Sequence, residues 1–120
     1  MDKYTKEELK EALNVVTSSI KNCEKMHPKF AEGTSQHTLL KNRIKALYIS
    51  KSLIEENIKE KYTKEELEKA IAPVLSIISK CEKAKIKAVE GTGNHTRLTK
   101  IIKAMYISKY LISNEISEID

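Results

Sequence analysis

The chain repeats itself. Tyr4-Thr-Lys-Glu-Glu-Leu9 returns as Tyr62-Thr-Lys-Glu-Glu-Leu67, an offset of 58 residues. The same offset carries Cys23-Glu-Lys25 onto Cys81-Glu-Lys83, Glu32-Gly-Thr34 onto Glu90-Gly-Thr92, His37-Thr38 onto His95-Thr96, and Tyr48-Ile-Ser-Lys51 onto Tyr106-Ile-Ser-Lys109. About half of the aligned positions are identical. Such self-similarity means one supersecondary unit used twice. The repeats are residues 4–61 and 62–119 of a single domain spanning 1–120, because the halves meet at Glu60 and Lys61 with no linker long enough to separate them.

Each repeat reads as two helices. Thr5 with Glu8 three residues later is a capping box, with Tyr4 placed to staple onto Leu9. Thr63, Glu66, Tyr62 and Leu67 repeat it. Leu9, Leu13, Val16, Ile20 and Cys23 then recur at steps of four and three, one face of a helix, copied by Leu67, Ile71, Val74, Ile78 and Cys81. Gly33 and Gly91 suit the left-handed position that ends a helix. Pro28 predicts an early end or bend in the first helix and Pro73 a kink in the third. The second helix of each repeat carries Leu40, Ile44, Leu47, Ile54 and Ile58, or Leu98, Ile102, Met105, Ile112 and Ile116. With Ala46, Ile49 and Leu53 added, this arc covers more than half the circumference, wider than a bundle helix needs. The surplus predicts a homo-oligomer, a dimer or larger, the alternative being apolar residues left singly exposed. The expected fold is all-α: an antiparallel four-helix bundle of two tandem hairpins with pseudo-two-fold symmetry.

Composition narrows the function. No apolar run approaches a membrane span, and Met1 to Glu8 does not resemble a secretory leader, so the expectation is a cytoplasmic protein with no membrane partner. Cys23 and Cys81 are then free thiols at core-facing positions. A net charge of +5 favours anionic partners. Only two of the cations, Arg43 and Arg97, are arginines, which disfavours base-reading of nucleic acid.

Two constellations are candidate ligand sites. The inter-helix turns place Thr34, His37 and Thr38, and Thr92, His95 and Thr96, at helix N-termini, where free N–H groups and the dipole attract anions. The alternative is a capped turn with histidine in the capping-box position, for which Glu or Gln is the better residue. The second constellation is Tyr48 with Lys51 and Tyr106 with Lys109. Lys51 falls on the apolar line through Ile44, Leu47 and Ile54, where it either snorkels to water or meets an anion between helices. The tyrosines read as core-edge aromatics with their hydroxyls directed outward. No metal site is expected: Cys23 and His27 lie four apart, but their counterparts are Cys81 and Lys85, and no zinc spacing occurs. Phosphate-loop, dinucleotide-fold and serine-elbow motifs are absent, and no nucleophile–base pair can be assembled, so neither catalysis nor a cofactor is expected.

The segment Glu32-Gly-Thr-Ser-Gln-His-Thr-Leu-Leu-Lys-Asn-Arg-Ile-Lys-Ala-Leu47 resembles small uncharacterised helical-hairpin proteins of Gram-positive anaerobes, a resemblance that implies no activity. A hairpin whose polar, glycine-containing turn leads into an Ile-Lys-Ala helix is also similar to the hairpin domain of phage anti-defence sponges, over about 25 residues per half. That resemblance implies an oligomer that sequesters cyclic nucleotide signals. The proline-rich turn and arginine pair of such domains are missing here. The sequence therefore suggests a non-enzymatic helical binding module with two equivalent anion sites for a phosphate-containing small molecule. The alternatives are a homo-oligomerisation or protein-interaction module and a nucleotide-signal sponge.

Overall fold

The computed structural model describes residues 3–56 and 61–119. Ile58 and Glu60, assigned above to the second helix and the junction, lie outside the described residues. Among those described there are four α-helices and no strand. They are α1 (Lys6–Met26), α2 (Ser35–Ile54), α3 (Lys64–Lys87) and α4 (Gly93–Ile119). The protein is an all-α four-helix bundle measuring 42 × 39 × 20 Å, about two helix diameters thick.

Both capping boxes form. The Thr5 hydroxyl accepts from the Glu8 N–H at 3.0 Å while Glu8 accepts from the Thr5 N–H at 2.8 Å. Thr63 and Glu66 do the same at 3.1 and 2.9 Å. Each device satisfies two N–H groups that a helix start leaves open. Gly33 and Gly91 take φ of +89° and +87°, which a side chain would strain, but they end no helix: α1 and α3 stop earlier, at Met26 and Lys87, and the glycines shape the turn just before Thr34 and Thr92. Glu56 also has positive φ, +55°, just past the end of α2. Pro28 acts as expected: α1 ends at Met26 and the chain makes a 3-10 turn over His27–Lys29. α3, lacking that proline, continues to Lys87, running through Pro73 on the way.

Cross-helix contacts set the arrangement. Along α1 and α4, Tyr4 meets Tyr110 edge to face at 5.5 Å, Glu8 pairs with Lys103 at 2.8 Å, and Glu11 pairs with Lys100 at 3.7 Å. Rising numbers on one helix meet falling numbers on the other, so the two run antiparallel. On α3 and α2, Glu66 pairs with Lys45 at 3.6 Å and Ser76 accepts from Arg43 Nη2 at 3.2 Å, again antiparallel. Glu8–Lys103 and Glu66–Lys45 are one contact exchanged between the repeats, so the pairing follows the pseudo-two-fold. Within each hairpin, the Tyr48 hydroxyl donates to Glu24 at 2.9 Å and that of Tyr106 to Glu82 at 3.3 Å. Glu82 and Tyr106 are the repeat equivalents of Glu24 and Tyr48.

α2 and α4 are the central pair. Each packs against the other and against both outer helices, whereas α1 and α3 do not pack together among the described residues. This explains their wide apolar arcs. Leu47, Ile49, Met105, Ile107 and Ile112 are all but fully buried. Ser50 and Ser108 are also fully buried, their hydroxyls donating to the Ala46 and Ala104 carbonyls at 2.9 Å. A serine with its hydroxyl bonded back to the preceding turn behaves as a small core residue. Much of the arc is thus covered within the chain, while Ile44, Leu53, Ile102 and Ile116 stay half-buried.

Candidate functional site

The six predicted turn residues lie at one end of the bundle, and their first duty is to cap. Thr34 Oγ1 accepts from the His37 N–H at 3.2 Å and donates to the Ala31 carbonyl at 2.7 Å. Thr92 Oγ1 accepts from the His95 N–H at 3.2 Å and donates to the Val89 carbonyl at 2.6 Å. Each hydroxyl proton is thus committed inside its own turn. Thr38 and Thr96 give their N–H groups to the Thr34 and Thr92 carbonyls, the first helical bonds, at 3.1 Å. The histidines differ. The ring of His37 stacks on His27, with centroids 4.1 Å apart and planes 27° from parallel. The equivalent of His27 is Lys85, so His95 cannot form that stack.

The other four predicted residues stand away from the turns. Lys51 lies 14 residues beyond His37, roughly 21 Å along α2 at 1.5 Å per residue. It is half-buried and its ammonium lies 3.9 Å from Glu55. Lys109 is half-buried at the matching place on α4. Tyr48 and Tyr106 hold the hairpins together through Glu24 and Glu82. The carboxylates raise both phenol pKa values, at Tyr48 mainly through the hydrogen bond and at Tyr106 mainly through charge. The ten residues therefore do not converge on one pocket.

A different set does converge. Between the hairpin turns and the core, all four helices line a cleft of about 380 Å³. Its floor is apolar, with Leu40, Leu47, Leu98 and Ile101 among the lining side chains. Arg43, Lys80 and Arg97 also line it, and no carboxylate does among the described residues. Both arginines of the chain thus reach one cleft, although they are not repeat equivalents: Arg43 corresponds to Ile101, and Arg97 to Leu39. Arg43 Nε is buried without a partner, a donor left unused where such groups are normally satisfied. Arg97 Nη2 donates to Asn94 at 2.9 Å.

Cys23 and Cys81 line the same cleft and their thiol pKa values are raised. Burial is the main cause, opposed by the positive field of Arg43 and Lys80 at Cys23 and of Arg97, Lys80 and Arg43 at Cys81. Thiols held protonated in this way are poor nucleophiles. No group of three or more metal-ligating side chains occurs among the described residues, and no described helix is long and apolar enough to cross a membrane.

The cleft also marks where the charge lies. Residues 21–43 and 79–97, the turn end of the bundle, carry ten lysines and arginines against four glutamates, a balance of +6. The rest of the chain carries twelve cations against thirteen acids, a balance of −1. Away from the turns, the grooves between paired helices are self-neutralised, as at Glu8–Lys103 and Glu11–Lys100. Charge summed over the whole chain hides this polarity. Charge summed over alternate helix halves, which a hairpin reading of the sequence permits, would have shown it.

No family model matches the chain, and neither a curated protein nor a solved structure is significantly similar to it.

Proposed function

We propose that this protein is a non-enzymatic binding module that takes one anionic small molecule into the cleft at the turn end. The observation that carries this is the cleft itself: three cations, one with an unpartnered buried N–H, stand over an apolar floor, and no carboxylate lines it among the described residues. A mostly apolar pocket with a few convergent polar groups is the usual form of a small-molecule site. The chemistry suits a phosphate or carboxylate attached to an apolar group. Arginine forks would hold the anion and the leucines its body. One shared cleft is favoured here over the two equivalent turn sites read from the sequence, because the threonine hydroxyls there are committed to their own turns. Two thiols kept protonated support binding over catalysis.

Thermal unfolding with a ligand panel tests this. Alkyl and aryl phosphates and carboxylates, mononucleotides and cyclic dinucleotides would be compared with inorganic phosphate. A ligand at a hundred times its Kd stabilises the folded state by about 2.7 kcal/mol, a rise in Tm on the order of 10 °C. Lys80 and Arg97 are exposed, so Lys80→Ala and Arg97→Ala should keep the fold and lose the shift. If no apolar anion raises Tm above inorganic phosphate, the cleft is a packing feature and this function is wrong.

A further inference from the structure

The turn end carries a second feature that the cleft does not use. Ile86 and Val89 are 85% and 71% exposed, the most exposed of the large apolar residues described. They sit where α3 ends and the second turn begins, interleaved with Lys83, Lys85 and Lys87. Leu39, 46% exposed, lies at the same end on the first hairpin, as does Met26, 47% exposed, which also lines the cleft. The acids nearby are Glu82, which receives the Tyr106 hydroxyl, and Glu90.

Folding within one chain does not account for this tip. α1 stops at Met26 and turns back through His27–Lys29, so the first hairpin does not project its equivalent residues on a helix. α3 runs on to Lys87 and carries Ile86 outward. Bare aliphatic side chains among lysines, on the end that holds all of the chain's net positive charge, complement one partner in both properties. That partner is a bilayer with anionic headgroups over a hydrocarbon interior. Nucleic acid matches the charge but offers nothing to an isoleucine and a valine, and the aromatic rings at the described tip, Phe30, His27, His37 and His95, are all half-buried, with His27 and His37 stacked on each other.

We infer that the turn end docks peripherally on anionic phospholipid surfaces, with Ile86 and Val89 entering the interface and Lys83, Lys85 and Lys87 lying among the headgroups. This is independent of the cleft, and it adds a surface interaction where the sequence alone suggested no membrane partner.

The test is co-sedimentation of the whole chain with vesicles of phosphatidylcholine alone and of phosphatidylcholine with phosphatidylserine. Binding is expected only to the second and should weaken as salt rises. Ile86→Ser with Val89→Ser should lower partitioning about tenfold. Lys83→Glu with Lys87→Glu should lower it on the order of a hundredfold or more. All four positions are exposed, so helical circular dichroism should not change. An Ile86→Trp variant should show a blue shift in emission on anionic vesicles. Three results would each overturn the inference: no sedimentation with anionic vesicles, equal sedimentation with neutral ones, or sedimentation without the tryptophan shift and untouched by the serine pair. Single-stranded DNA that competes fully while the serine pair has no effect would identify a general polyanion binder instead. Lys80→Ala and Arg97→Ala leave the tip intact, so a failed cleft and a failed tip are told apart.

Discussion

The two hairpins share one sequence pattern, agreeing in some places and differing in others. They share capping boxes, tyrosine–glutamate bridges, buried serines, left-handed glycines and threonine caps. They differ at the tips, where one carries a proline turn and a stacked histidine pair and the other an extended helix with Ile86 exposed. They also differ where the outer helices meet the central ones. Tyr4 packs on Tyr110, but Tyr62 has no such ring partner among the described residues, because the equivalent of Tyr110 is Ser52. The shared features bind helix to helix or close a helix end, whereas the differing ones face the surface or one seam. The fold thus rests on what the hairpins hold in common, and any function that treats the two ends of the molecule unequally rests on what they do not.

The core tests that division most severely. Leu47 and Met105 are equivalent and both fully buried. Leu47→Ala and Met105→Ala should each cost about 2–5 kcal/mol in denaturant unfolding, because the cavity left behind closes only in part. Near-equal losses would show the hairpins contributing equally to one cooperative core. A loss below about 1 kcal/mol at one site, with a second unfolding transition, would show that the hairpins unfold separately.

The caps come next. Thr5→Ala and Thr63→Ala should each cost about 1 kcal/mol, a fall in Tm of several degrees. The two donor distances differ by only 0.1 Å, 3.0 against 3.1 Å, so the two costs should match closely. Unequal costs would mean that one outer helix is held mainly by its partners and not by its start.

These comparisons also show how far the sequence could be read. Caps and Pro28 are local devices legible from a few adjacent residues, and so is the left-handed conformation of the two glycines, though they shape the turns and do not end a helix. The wide arcs of α2 and α4 were equally legible, but their meaning was not. Periodicity measures how much of a helix is apolar and cannot count its neighbours, and each central helix packs against three. The candidate site failed to emerge for a related reason. Arg43 and Arg97 lie 54 positions apart and are not repeat equivalents, so neither spacing nor self-similarity links them. Only packing α2 against α4 brings them to one cleft. The turns recur as well, and there the threonine hydroxyls cap the helix starts, whereas the recurring histidines enter those caps through their backbone N–H groups.

A smaller effect separates the two tyrosine bridges. Both phenols should ionise above the ordinary value of 10.0, because the neighbouring glutamate disfavours the phenolate. Tyr48, with the shorter bond of 2.9 Å against 3.3 Å, should titrate higher than Tyr106. NMR titration of ring-labelled tyrosine would resolve the two. The reverse order would mean that the second hairpin is the tighter one in solution.

The smallest difference lies in the exchanged ion pairs. Glu8 and Glu66 are both held below the ordinary carboxylate value of 4.5, but for different leading reasons. Lys103 is the main cause at Glu8, whereas the Thr63 N–H is the main cause at Glu66. A depressed carboxylate pKa contributes stability above the unfolded value, which is lost as pH falls from about 4.5 through the folded value. Both groups should therefore contribute to acid destabilisation in that window. Lys103 is raised above 10.5 by Glu8, so its contribution is present below that value and is lost as pH rises beyond it. Salt separates the two cases. An exposed ion pair is screened, while a hydrogen bond from a backbone N–H is much less affected. NMR titration of the glutamate carboxyls in low and high salt should move the Glu8 midpoint towards 4.5 more than that of Glu66. Equal movement would show that both glutamates are held by their helix starts, leaving the 2.8 and 3.6 Å ion pairs without consequence for the difference between the hairpins.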